Sequence, residues 1–123
     1  MNILCIEDND DDFNYIKYLL EKNIEGSSLY RLSSSIGMSD ILIEVGFSLI
    51  LVDYYLDNSE TAEYIIKGVR ACEEFLDIPI VVMYDLANEN QKEKCVELGA
   101  NLCLPKSGWK EKSFFDVFTN LFI

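Results

Sequence analysis

Ser48-Leu49-Ile50-Leu51-Val52-Asp53 sets an unbroken apolar run against a terminal acid. The run is short and apolar on both faces, which reads as a strand buried inside a parallel sheet. The same signature recurs outward in both directions. Ile3 to Ile6 is a buried strand halted by the acidic run Glu7 to Asp12, and Pro79 opens another at Ile80 to Tyr84. Leu102 to Leu104 is a shorter strand and Ser28 to Ser33 a weaker one.

Between these runs the apolar period changes to that of a helix. Phe13, Ile16, Leu19 and Leu20 form one helical stripe. Ser39-Asp40 caps a short helix over Ile41 to Val45, stopped by Gly46. Glu60 to Phe75 reads as a long helix with Tyr64, Ile65, Val69 and Cys72 on one stripe. Asn88 to Leu98 is a helix closed by Gly99, and Ser113 to Phe122 is the last. Strand and helix alternate throughout, with no repeat and no linker. The expected architecture is one α/β domain over residues 1–123. It is a doubly wound, five-stranded parallel sheet with helices on both faces, a flavodoxin-like (βα)5 unit.

Composition narrows the chemistry. Twenty-two acidic residues face ten basic ones, for a formal charge of −12. Such a surface repels nucleic-acid phosphates and anionic membranes, so neither is an expected partner of this chain. There is no histidine, which removes Ser-His-Asp and Cys-His nucleophile systems and imidazole acid-base work. Cys5, Cys72, Cys95 and Cys103 form no C-x-x-C pair and read as small buried hydrophobes of a reducing compartment. The amino terminus has no basic segment and meets Glu7 and Asp8 at once, unlike a signal peptide. No apolar run is long enough to span a bilayer, and a cytoplasmic location is expected.

Ligands of a doubly wound sheet bind beyond the carboxyl ends of its strands. Glu7 and Asp8 follow the first strand, Asp53 ends the third and Lys106 follows the fifth. Carboxylates gathered there raise one another's pKa unless a cation sits among them. Mg2+ suits an oxygen-only set, because it keeps waters and needs few protein groups. A lysine opposite offsets the charge of a transferred phosphoryl group, and a carboxylate can be the nucleophile that forms an acyl phosphate.

Four stretches carry a family resemblance. Ile3-Leu4-Cys5-Ile6-Glu7-Asp8-Asn9 resembles the opening of response-regulator receiver domains, and Leu49-Ile50-Leu51-Val52-Asp53-Tyr54-Tyr55-Leu56 resembles their phosphoacceptor strand. Ile78-Pro79-Ile80-Val81-Val82-Met83 is similar to their fourth strand, and Gly99-Ala100-Asn101-Leu102-Cys103-Leu104-Pro105-Lys106 to their fifth. The resemblance spans essentially the whole chain. It implies that Asp53 is the phosphoacceptor and that Lys106 pairs with the phosphoryl group. It implies Mg2+ held by Asp8 directly, by Glu7 through water, by Asp53 and by the main-chain carbonyl of Tyr55. A sensor histidine kinase or histidine phosphotransfer protein would be the donor, and a homodimer or a downstream output protein the readout.

The chain departs from that family at its switch. Family members carry Thr or Ser where this chain has Tyr84, whose hydroxyl lies too far from the backbone to replace it. Asp85 stands at the next position, normally small, and adds a negative charge near the phosphoryl site. Cys103 replaces the fifth-strand aromatic, Ser107 replaces the proline after the lysine, and the loop after Asp53 lacks the usual Pro and Gly. With Ser107 there, the cis peptide of the family is not expected. Two readings stay open: a phosphorylated receiver that signals by another movement, or a degenerate receiver that binds protein partners without phosphorylation.

Tyr15, Tyr18, Tyr54, Tyr55 and Tyr64 read as half-buried residues of helices and loops. Phe114, Phe115, Phe118, Leu121 and Phe122 give the last helix a broad apolar face, and Trp109 reads as a packing anchor. Other uses of such a sheet fit poorly. A haloacid-dehalogenase-type phosphatase needs a second Asp where Tyr55 stands, Asp10-Asp11-Asp12 would repel a flavin phosphate, and no P-loop is present.

Overall fold

The computed structural model describes residues 1–56 and 59–106, together with Lys112, Asp116 and Leu121, and at 86 and 87 only the backbone. β1 (Asn2–Ile6), β2 (Ser28–Leu32), β3 (Leu49–Asp53), β4 (Ile80–Tyr84) and β5 (Leu102–Pro105) form one five-stranded sheet in the order β2-β1-β3-β4-β5. Every pairing is parallel. The order reverses between β1 and β3, and the crevice at such a reversal is where a doubly wound sheet binds its ligands.

The apolar strands are buried on both faces because the pleat divides their side chains between two cores. Ile3, Cys5, Leu49, Leu51, Val81 and Met83 pack with Ile16, Leu19 and Leu20 of α1 (Asp10–Asn23). Leu4, Ile6, Ile50, Val52, Ile80 and Val82 face the other way. They meet α2 (Met38–Glu44), α3 (Ala62–Arg70) and α4 (Lys92–Leu98). Leu121 packs against the α1-side core. The rest of the expected helix Ser113 to Phe122 lies outside the described residues, as do Trp109, Ser107, Phe114, Phe115, Phe118 and Phe122, except for the helical positions Asp116 and Leu121. None of the described helices is long and apolar enough to cross a membrane.

Three helix boundaries differ from expectation, each for a local reason. The helix expected to reach Phe75 stops at Arg70, and Glu73–Phe75 form a separate 3-10 turn. Arg70 Nη1 donates to the Phe75 and Leu76 carbonyls, while Nε and Nη2 donate to the Gly99 carbonyl, so its side chain folds the following chain back. Tyr64 and Cys72 are exposed, and the buried stripe is Ala62, Ile65, Ile66 and Val69. The segment from Leu86 to Gln91 is 3-10, and α4 begins only at Lys92. Its two asparagines are weak helix formers. α2 is capped by Gly37 at φ 82°, which leaves Ser39 and Asp40 inside its first turn. Gly99, as expected, closes α4: a Cβ there would lie 2.8 Å from Arg70 Cγ.

The tyrosines also differ. Tyr15, Tyr18, Tyr55 and Tyr64 are exposed and Tyr54 is buried. Of the cysteines, only Cys5 and Cys95 are fully buried.

Candidate functional site

At the carboxyl edge of the sheet, β1 and β3 are neighbours and β4 separates β3 from β5. That order brings Glu7, Asp8, Asp53 and Lys106 together, as the strand ends predict. Lys106 Nζ lies 3.0 Å from Glu7 Oε2, 3.1 Å from Asp53 Oδ1 and 2.7 Å from Asp12 Oδ2. The ammonium donates hydrogen bonds to Glu7 and Asp12 and stands in ion-pair contact with Asp53. Glu7 is fully buried and Asp53 is 8% exposed, so these pairs work at reduced dielectric.

Asp12 was read from the sequence only as part of a loop-side acidic run. Its signal was there to be found, since Asp12, Ile16 and Leu19 fall on one helical stripe and an acid on an apolar stripe faces the sheet. Asn9 caps α1, its side chain accepting from the Asp12 N–H at 2.9 Å, and so aims the first turn at the site. Arg31 is the second residue missed. From β2 its Nε donates to the Glu7 carbonyl at 3.0 Å and its Nη2 pairs with Asp10 Oδ1 at 2.8 Å, which fixes the loop after β1. The guanidinium also rests over the Phe13 ring.

The protonation states follow from burial. Desolvation, with the charge of Asp53 added, pushes Glu7 up to about 7, against Lys106 and the Asn9 N–H. Asp53 is likewise raised by burial, against Lys106 and a hydrogen bond from Glu7. Burial opposes the charge on Lys106, but the Asp12 hydrogen bond and the charges of Asp53 and Glu7 outweigh it and hold the lysine above its usual range. The pocket is thus a crowded acid cluster with one firmly charged cation.

These residues suit a hard divalent cation. Glu7, Asp8 and Asp53 each offer a carboxylate oxygen within 4.8 Å of the others. Octahedral Mg2+ ligands at about 2.1 Å span roughly 3 to 4 Å, so little closure is needed. Both oxygens of Glu7 are engaged, Oε1 by the Asn9 N–H at 3.1 Å and Oε2 by Lys106, which fits a ligand acting through water. The Asp8 carboxylate accepts no hydrogen bond among the described residues and is available for direct contact.

The loop after β3 is held by its own backbone. The Ala62 N–H donates to the Tyr54 carbonyl at 2.8 Å, the Leu56 N–H to the Glu60 carbonyl at 2.9 Å, and Tyr55 bridges to Thr61. Tyr54 fastens it to α3, its hydroxyl donating to Glu63 Oε2 at 2.6 Å. Ser59 takes φ 62°, a left-handed backbone that glycine would adopt without strain. Of the atypical switch positions, Tyr84 and Cys103 turn away from the Lys106 cluster. Tyr84 is buried in the core on the α2–α4 side and Cys103 packs against that core. Asp85 is exposed just past β4, its carbonyl accepting the Asn88 N–H at 2.8 Å.

No protein-family profile matches the sequence, and no curated protein matches it. Solved structures match closely in shape. The signal receiver domain of a DNA-binding response regulator from Colwellia psychrerythraea has a TM-score of 0.87 at 17% identity, covering 98% of this chain and 97% of its own. The receiver domain of a sensor histidine kinase from Pseudomonas aeruginosa, with a magnesium ion coordinated in its active-site cleft, has a TM-score of 0.83 at 22% identity, covering 98% of this chain and 95% of its own. The phosphorylated cyanobacterial phytochrome response regulator RcpA has a TM-score of 0.78 at 20% identity, covering 98% of this chain and 89% of its own. The likeness establishes the fold, which is that of receiver domains.

Proposed function

We propose that this receiver-fold chain accepts a phosphoryl group on Asp53, in a Mg2+-dependent reaction, from a sensor histidine kinase or histidine phosphotransfer protein. The observation that carries the reading is Lys106, which bridges buried Glu7 and Asp53 at 3.0 and 3.1 Å on the binding edge of the sheet. Asp53 Oδ attacks the phosphorus of the donor phosphohistidine, the P–N bond breaks, and the imidazole leaves with a proton from solvent. The product is a mixed anhydride on Asp53. Asp8, Asp53, the Tyr55 carbonyl and, through water, Glu7 would hold Mg2+, which would supply charge neutralisation at the phosphoryl oxygens. Burial raises the proton affinity of Asp53, and Lys106 opposes this, favouring the carboxylate that acts as nucleophile. Lys106 then exchanges its Asp53 contact for a phosphoryl oxygen. Because it follows β5 directly, that exchange transmits the event to the strand end.

Incubation with a small phosphodonor such as acetyl phosphate, followed by intact-mass measurement, tests the reading. We expect one phosphoryl adduct with Mg2+, none with EDTA, and none for Asp53→Asn. The second reading, a phosphorylation-independent protein-binding module, is favoured by Asp85, whose charge stands beside the strand end that faces the phosphoryl site. An unmodified mass with several donors would leave that reading in place of the first.

A further inference from the structure

The acid pocket uses none of the cysteines, yet two of them share one core. Cys95 lies on the buried side of α4, and Cys103 on β5 packs against the core that holds Cys95. Cys103 Sγ also lies 3.6 Å from the carbonyl of Lys92, one turn earlier on α4. Cys95 is 1% exposed, whereas Cys103 is only partly buried, so a reagent arriving from solvent reaches Cys103 first. The contact with Cys95 lowers the Cys103 thiol, burial opposes this, and the Lys92 ammonium adds to the lowering. The same contact, with burial, raises Cys95. A partly exposed thiol of lowered pKa, backed by a shielded one, is the arrangement of an attacking and a resolving cysteine. Cys5 is buried in the opposite core and Cys72 is exposed, so each serves as an internal control.

We propose that Cys95 and Cys103 are a hydroperoxide-sensitive pair that closes a disulfide between α4 and β5. The Cys103 thiolate attacks one peroxide oxygen, the O–O bond breaks, and the leaving oxygen departs as water after taking a proton. Cys103 is then a sulfenic acid. The Cys95 sulfur attacks it, the S–O bond breaks, and a second water leaves with the Cys95 proton. Two electrons have passed from the sulfurs to the peroxide. Closing the bond sets the two sulfurs about 2.05 Å apart. It ties α4 to the strand that leads into Lys106.

This inference does not depend on phosphoryl transfer, and its test uses no phosphodonor. The reduced chain is treated with hydrogen peroxide, its remaining thiols are alkylated after denaturation, and the digest is analysed by mass spectrometry. We expect equal loss of Cys95 and Cys103 from the alkylated pool, with a cross-linked 95–103 peptide that dithiothreitol releases. Cys5 and Cys72 should stay alkylatable in the monomer. Cys72→Ser should form the bridge as the parent does, and Cys95→Ser should leave a Cys103 sulfenic acid that dimedone traps. Circular dichroism of each variant separates lost chemistry from lost fold. A folded parent whose Cys103 stays a free thiol, or oxidises to sulfinic acid with no cross-linked peptide, overturns the proposal.

Discussion

Asp12 shares a stripe of α1 with Ile16 and Leu19, and its carboxylate holds Lys106 at 2.7 Å, the shortest of the three contacts that lysine makes. In the proposed reaction this pairing would compete with a phosphoryl oxygen for the same ammonium. Asp12→Asn should therefore bind beryllofluoride, an acyl-phosphate mimic, more tightly in the presence of Mg2+. About 1 kcal/mol, or roughly fivefold, is the scale for a partly exposed ion pair. Calorimetric titration checks it, and equal or weaker binding would mean that Asp12 does not restrain the lysine. Lys106→Ala should lose most of the beryllofluoride affinity while remaining folded, because Glu7, raised to about 7, can take up a proton in place of its cation. A variant that keeps parental affinity would remove Lys106 from the site.

At the end of β4 the departures from the receiver pattern divide into two physical kinds. Tyr84 is a core residue, 4% exposed, so Tyr84→Thr opens a cavity and should cost about 3 kcal/mol in a denaturant titration. Asp85 is exposed, and Asp85→Ala should leave stability within about 0.5 kcal/mol while tightening beryllofluoride binding. If Tyr84→Thr is neutral, the ring is not packed as described; if Asp85→Ala binds no better, its charge does not reach the site. The strands and their parallel packing were legible in the sequence because β3 and β4 are apolar at every position before their ends, which only a sheet covered on both faces permits. The rule that ligands bind beyond the strands' carboxyl ends located Glu7, Asp8, Asp53 and Lys106. It was silent on Asp12 and Arg31, whose contacts depend on helix rotation and strand register. Helix ends were harder still. What stops α3 is the Arg70 fork gripping carbonyls at Phe75, Leu76 and Gly99, a tertiary contact that leaves no periodic trace.

For the molecule as a whole the acid cluster is a liability that a bound cation would relieve. Glu7 holds its proton more tightly in the fold, at about 7, than its ordinary value of 4.5 allows in an unfolded chain. Its contribution to stability is therefore full below about 4.5 and is lost as pH rises through about 7. Asp53, also raised, acts in the same direction. Thermal melts in EDTA should show the parent losing stability across that window and Glu7→Gln losing less, with the variant ahead by about 1 to 3 kcal/mol above it. Mg2+ should stabilise the parent more than the variant. A Glu7→Gln chain that melts lower at every pH would mean the carboxylates are not crowded into one pocket. The most direct measurement reads which acid of that pocket takes the phosphoryl group. Treatment with acetyl phosphate and Mg2+, then reduction with sodium borohydride, converts an aspartyl phosphate to homoserine at its own position. We predict homoserine at residue 53, and none when EDTA replaces Mg2+. Conversion at Asp8 or Asp12 instead, or at no residue, would contradict the account.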